Sequence, residues 1–338
     1  MLSVGAVRQS AALPEHLRDT GLYSDWERKE LAAGNLPYVP QYPLWSDGAD
    51  KRRWIHLPSG TAIDASAPDA WRFPVGTRVW KEFGDARPRE TRLIVRTSSA
   101  WLYATYRWMA DGTDAVLVPE EGAVEVDPSW PGGRYVFPSR SDCLTCHEGR
   151  PTPILGFSAL QLSPDRDPAA VHAEVPVAGA LDLSSLVQRR LIRGLPRDWS
   201  DHPPRIAAST PRERAALGYL HGNCGQCHNS QGPLASQGLD LWHDPGRRGR
   251  KEPALATSLL RPSAFRIPGQ PPAQTARLWP GAPERSALLV RMSARHTFAR
   301  MPPLATQIVD AEAVQLVERW IDELRTSAGP ESFESRRP

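Results

Sequence analysis

Two copies of one short pattern hold all four cysteines of the chain. They are Cys143-Leu-Thr-Cys146-His147 and Cys224-Gly-Gln-Cys227-His228. In each copy, two thiols three positions apart lie on one side of a helical turn, and a histidine follows directly. Each thiol can add to a vinyl group of a porphyrin, and the imidazole can then ligate its iron. The pattern therefore predicts two covalently bound haem c groups, with His147 and His228 as proximal ligands.

Two other chemistries use paired cysteines. Four thiolates from two Cys-x-x-Cys pairs can bind zinc, but such a site does not explain a histidine directly after each pair. The interval between the pairs is also long for a compact zinc module. A thioredoxin-like dithiol requires a surrounding βαβ unit, which neither pair has. Haem attachment is therefore the favoured interpretation.

The second pentamer lies in a region, residues 208–326, that we expect to form an all-α class I cytochrome c domain. Thr210 and Pro211 are typical of a helix start, and this helix leads into Cys224. Asp310 should cap a terminal helix, whose apolar residues recur at helical spacing. In class I cytochromes the first and last helices cross beside the haem.

Met301 precedes two prolines shortly before this terminal helix. The arrangement resembles the loop by which class I cytochromes present a distal methionine, whose thioether is a soft ligand suited to haem iron. Core packing is the alternative role of a lone methionine. We predict that Met301 is the distal ligand of the second haem.

Residues 36–140 differ from the predicted helical region at 208–326. Runs of alternating, β-branched or aromatic residues recur between turn residues, which predicts about seven antiparallel strands arranged as a sandwich. The tryptophans of this region are expected to fill its core. The fold class is therefore predicted as α+β, with an N-terminal sandwich-like domain before the all-α domain. Residues 1–35 would form an N-terminal extension, 141–207 the first haem segment and linker, and 327–338 a tail.

Several segments resemble a group of large secreted bacterial dihaem c-type cytochromes with an N-terminal β-rich module. They are Tyr42-Pro-Leu-Trp-Ser-Asp-Gly-Ala, residues 51–58 and 73–77, the Pro-Ser-Arg before Cys143, and Tyr219-Leu-His-Gly-Asn before Cys224. The resemblance covers about residues 13 to 325. It implies electron transfer in an exported redox system, and it does not indicate a substrate.

The distal ligand of the first haem stays open among several residues. The candidates are Met109, Met292, His172, His202 and His221. His221, three residues before Cys224, could reach across to the other haem and is the foremost of them. An open sixth position is a further alternative. His56 and His243 are more simply explained as structural histidines.

The composition and charge of the chain limit the kinds of partner that it is expected to bind. The net charge is +3 and no basic stripe indicates nucleic acid binding. No run of eighteen apolar residues occurs, so no transmembrane segment is expected. Haem is attached to such motifs outside the bacterial cytoplasm, which predicts a periplasmic or secreted protein, although residues 1–20 lack a convincing signal peptide.

Three functions are compatible with these features. The leading hypothesis is an electron carrier that exchanges electrons with redox partner proteins and has no catalytic residues of its own. The first alternative is a dihaem peroxidase or oxidase with one open iron. The second makes the β-rich region a module that docks onto a partner enzyme or polymer.

Overall fold

The computed structural model describes residues 13–84, 87–246 and 252–324. The predicted tail at 327–338 and the first twelve residues of the predicted extension lie outside them. The strands are β1 Tyr23–Asp25, β2 Glu30–Leu31, β3 Asn35–Pro37, β4 Lys51–His56, β5 Ile63–Asp64, β6 Arg78–Phe83, β7 Glu90–Arg96, β8 Trp101–Trp108, β9 Ala115–Leu117, β10 Ala123–Val126, β11 Arg134–Phe137 and β12 Ile192–Arg193. The α-helices are α1 Arg140–His147, α2 Leu183–Gln188, α3 Pro211–Asn223, α4 Pro253–Ser258, α5 Ala287–Ser293 and α6 Ala311–Glu323.

One antiparallel sheet organises the N-terminal half. Its strands follow the order β3-β4-β6-β7-β8-β9, and β10 pairs separately with β11. The strands form where β-branched and aromatic residues alternate, because such side chains suit a pleated surface. Runs of this kind at 77–83, 91–96 and 101–108 predict strands, and β6, β7 and β8 begin and end within one residue of them.

The expected β-sandwich is wrong. No second large sheet faces the six-stranded one within the described ranges. One face is covered by the segment around Leu17 and Leu22, which packs on Trp54, Trp80 and Trp108. The other face is covered by loops and the short α2, through residues such as Ile154, Phe157, Leu162, Leu186 and Trp199. Alternation identifies a sheet that is buried on its inner positions, but it does not say what covers them.

The expected all-α class I cytochrome c domain is also wrong. The structure has about 24% helix and 19% strand, and the described residues of 208–326 do not form an all-α domain. Between α3 and α6 the chain forms loops, short 3-10 turns and two helices of six and seven residues. Prolines and glycines around residues 267–283 account for this, because proline removes a backbone donor and interrupts helices.

The two long helices of this region are nevertheless confirmed. The Thr210 side chain accepts a hydrogen bond from the Glu213 amide and begins α3. Asp310 caps α6 by accepting from the Ala313 amide. Leu217 and Leu220 of α3 share one apolar cluster with Trp320 of α6. In the described part of the chain no helix has the length and apolar character to cross a membrane.

Candidate functional site

The two pentamers, about eighty residues apart in the chain, lie against each other. The first occupies the end of α1, and the second follows the last residue of α3. The Cys227 Sγ lies 3.8 Å from the Thr145 carbonyl oxygen. Gly149 packs so closely on the Gln226 carbonyl that a Cβ would not fit there. Two motifs that are distant in sequence thus form one site.

All four cysteines are free thiols, and two of them, one from each motif, influence each other's pKa. The hydrogen bond between Cys146 and Cys227 raises the pKa of the Cys146 thiol and lowers the pKa of the Cys227 thiol. The other two cysteines are shielded from water, and burial raises the pKa of Cys143 and brings that of Cys224 to about 12.

A reciprocal cap positions the first motif. The Ser139 side chain accepts from the Asp142 amide at 3.1 Å, and the Asp142 carboxylate accepts from the Ser139 amide at 2.9 Å. Such a pair satisfies two amides at a helix start. No residue of α1 is fully buried, although Cys143 and Leu144 pack on the core beside the sheet. The cap therefore fixes a helix that packing alone holds only on one side.

The His147 ring is oriented by a backbone acceptor. Its Nδ1 lies 2.6 Å from the Pro153 carbonyl oxygen, which can only accept, so Nδ1 carries the proton. The ring also contacts Tyr103, with 5.5 Å between centroids. Burial lowers the pKa of His147 to about 4, and the charges of Lys81 and Arg92 act in the same direction. A neutral imidazole with Nε2 available is the form that binds metals.

A cavity of about 350 Å³ opens between the sheet and the first motif. Its lining includes both cysteines and the histidine of that motif, Cys143, Cys146 and His147. Apolar and aromatic walls come from Val79, Phe83, Ile94, Tyr103, Tyr135, Ile154 and Leu304. The size is within the range of small-molecule sites, about 300–1,000 Å³. These residues fit a flat, mostly apolar ligand such as a haem.

The second motif is held differently. α3 is buried along nearly its whole length, and His228 is also buried, with no hydrogen-bond partner for Nδ1 among the described residues. The Met301 amide donates to the Arg291 carbonyl at 3.0 Å. Burial lowers the pKa of His228, and the charge of Arg291 adds to this effect. Arg291 therefore neighbours both His228 and the Met301 loop.

Residues 42–49, whose role the sequence leaves uncertain, connect the sheet to the second site. The Trp45 amide donates to Asn223 Oδ1 at 2.7 Å, at the end of α3. The Asp47 carboxylate accepts from the amides of Gln307 and Ile308 at 2.9 and 3.2 Å. These contacts leave no local pattern in the sequence, because the partners are more than 170 residues apart. We call residues 42–49 the connecting segment.

The five residues considered as distal ligands of the first haem do not line the cavity. They are Met109, Met292, His172, His202 and His221. Met109 is 43% exposed, while Met292 lies in the apolar cluster of α3 and α6. His172 bonds to Asp310 at 2.8 Å. Within the described cavity wall, His147 is the only histidine and no methionine occurs.

His221 remains a prediction that the structure describes more closely. Its ring is buried against Trp242, with 4.2 Å between centroids. Its Nδ1 accepts the His243 amide at 3.1 Å, which leaves Nε2 as the nitrogen that carries the proton or binds a ligand. The His221 ring is thus held one helical turn before Cys224.

If the four cysteines bound zinc, their sulfur atoms would have to lie around one point in space. Among the described residues, no group of three or more histidine, cysteine, aspartate or glutamate side chains is arranged to bind a metal ion.

No protein family, no curated protein and no solved structure matches this chain.

Proposed function

We propose that this chain is a c-type cytochrome that carries two covalently bound haems and transfers electrons. Cys143 and Cys146 would hold the first haem, and Cys224 and Cys227 the second. His147 and His228 would be the proximal ligands, and Met301 the distal ligand of the second haem. The observation that carries the proposal is the contact between the two pentamers, beside a cavity lined by a pre-oriented His147.

The protein contributes position and environment. When bound, each haem supplies an iron that accepts and releases one electron. The Pro153 carbonyl keeps the His147 ring in the tautomer that leaves Nε2 available. The aromatic and aliphatic side chains of the cavity wall would pack on the first haem. The contact at Cys146 and Cys227 brings the attachment points of both groups together, which favours transfer between them.

This function carries expectations for location and partners. Because such attachment takes place outside the bacterial cytoplasm, we propose a periplasmic or secreted protein, in line with the resemblance to exported dihaem cytochromes. The partners would be redox proteins that deliver and remove electrons.

Haem counting tests the proposal directly. The full chain would be expressed with a c-type haem maturation system, and its haem content measured by pyridine haemochrome absorbance and intact mass. We expect two added porphyrins. The Cys143→Ala/Cys146→Ala and Cys224→Ala/Cys227→Ala variants should each retain one. A folded chain without porphyrin would overturn the proposal.

One observation favours a second candidate, a dihaem peroxidase or oxidase. The described wall of the first cavity offers no histidine or methionine besides His147, as expected for an iron with an open position. The ferric optical spectrum distinguishes the two functions. A high-spin component that reacts rapidly with peroxide supports the enzyme, whereas a fully low-spin spectrum without this reaction supports the electron carrier.

A further inference from the structure

Three cationic side chains stand side by side on the sheet face that lines the first cavity. Arg53 of β4 pairs in register with Lys81 of β6, and Lys81 pairs in register with Arg92 of β7. All three residues line the cavity. Like charges directly opposite each other on neighbouring strands are destabilising. The row therefore costs stability unless negative charge compensates it.

The two arginines have their own partners. Arg53 binds Glu174 through two hydrogen bonds of 2.7 and 3.0 Å. Arg92 forms an ion pair with the buried Glu90. These carboxylates pair directly with the two ends of the row. Lys81, at its centre, has no carboxylate bonded to it, and the charge of Glu174 offsets only part of the repulsion that lowers the pKa of Lys81.

Lys81 has no hydrogen bond or ion pair to any of the described residues. Its Nζ lies over the Phe83 ring, 4.7 Å from the centroid. Burial lowers its pKa well below the ordinary value, and the charges of Arg53, Lys51 and Arg92 add to this effect. The two carboxylates of the cavity wall are engaged elsewhere. Asp47 accepts from Gln307 and Ile308, and Asp142 caps α1.

We propose that Lys81, flanked by Arg53 and Arg92, binds a carboxylate of the ligand in this cavity, namely a propionate of the first haem. The inference rests on the proposed function, and it adds how the first haem is oriented in its cavity. An incoming carboxylate supplies the charge that the row lacks and keeps Lys81 protonated, since a charge-assisted bond favours the ionised forms of both partners. Lys81 is thus a positioning residue, not an iron ligand.

A propionate whose charge is neutralised by a cation changes the reduction potential of the haem iron in a measurable way. Negative charge near a haem stabilises the ferric form, and a cation that neutralises this charge therefore raises the reduction potential. Removing Lys81 should lower the potential of the first haem and leave the second unchanged. A role confined to packing would not produce this selective change.

The test compares Lys81→Met with Lys29→Met in the two-haem protein. Lys29 is a suitable control because it belongs to the opposite face of the sheet, where its Nζ lies over Trp108 and donates to the Gly112 carbonyl. Potentiometric titration would resolve two components, with the second haem identified by its methionine-to-iron band. We expect a lower first potential in Lys81→Met only, with two haems retained, an unchanged spin state, and recovery in Lys81→Arg.

Three results would overturn the inference. An unchanged first potential in Lys81→Met would show that no haem carboxylate depends on this residue. A change from low to high spin would make Lys81 an axial ligand instead. Wild-type protein without haem would overturn the proposed function, and this inference with it. Haem counting before titration separates that failure from the other two.

Discussion

The two attachment sites differ in how their histidines are prepared. His147 is fixed by a carbonyl six residues further along the chain and lines a preformed cavity. The Nδ1 of His228 has no partner among the described residues, and the His228 carbonyl accepts from the Leu241 amide at 2.8 Å. The first site thus orders its proximal ligand locally, whereas the second depends on tertiary contacts through α3, α5 and the connecting segment. Similar pentamers can therefore be supported by different kinds of structure.

The sharpest test of this difference is the distal ligand of the second site. Met301→Ala should abolish the methionine-to-iron absorption band and lower the potential of that haem, because a thioether ligand favours the reduced iron. Optical spectra and potentiometry measure both changes. The first haem should keep its potential.

Met292→Ala is the matched control. Met292 is buried among the residues of α3 and α6, and its truncation should cost about 2–5 kcal/mol of unfolding free energy. The band should survive in this variant. A band that persists in Met301→Ala, or disappears in Met292→Ala, would contradict the assignment of Met301.

The contact between the sites can be disturbed by one methyl group. Gly149→Ala forces a Cβ against the Gln226 carbonyl, which should cost about 1–3 kcal/mol of unfolding free energy by overpacking. Because the motifs must separate, electron transfer between the haems should also slow. Urea unfolding measures the first effect, and flash photoreduction the second.

Gly194→Ala provides a steric clash away from both motifs, against the Ser66 amide and at a positive φ of 79°. We expect similar destabilisation with a transfer rate close to that of the unmodified protein. Equal slowing in both variants would mean that the contact between the pentamers does not control transfer.

The smallest expected effect concerns the thiols before haem attachment. In the haem-free protein, the hydrogen bond lowers the pKa of Cys227 and raises that of Cys146. Because the thiolate is the nucleophile, Cys227 should be alkylated by iodoacetamide at a lower pH than Cys146. Peptide mass spectrometry over a pH series measures this order. Cys146→Ala should shift the Cys227 profile to higher pH, and an unshifted profile would exclude the bond.

Local patterns in the sequence predict much of the fold. The two pentamers, α6 and the long strands each follow from residues close together in the chain. The Ser139 and Asp142 cap of α1 could also be found, since its spacing is that of a capping box. The sandwich was wrong because alternation gives the period of a strand and not the partner of the sheet.

The remainder of the site depends on distant pairs. Arg53, Lys81 and Arg92 form a row only through strand register, and no spacing within one strand reveals it. The two long helices of the 208–326 region follow from local patterns, whereas the prolines between them keep the intervening helices short. Contacts of this kind arise in tertiary structure, where local propensity carries little information.

The contacts of the Asp47 carboxylate limit how the chain can be cut into fragments. It holds the backbone immediately after the Met301 loop, 260 residues away. A fragment cut near residue 207 would leave two amides of that loop without their acceptor and the end of α3 without Trp45. Transplanting the C-terminal portion onto another protein would therefore require the connecting segment to be supplied with it.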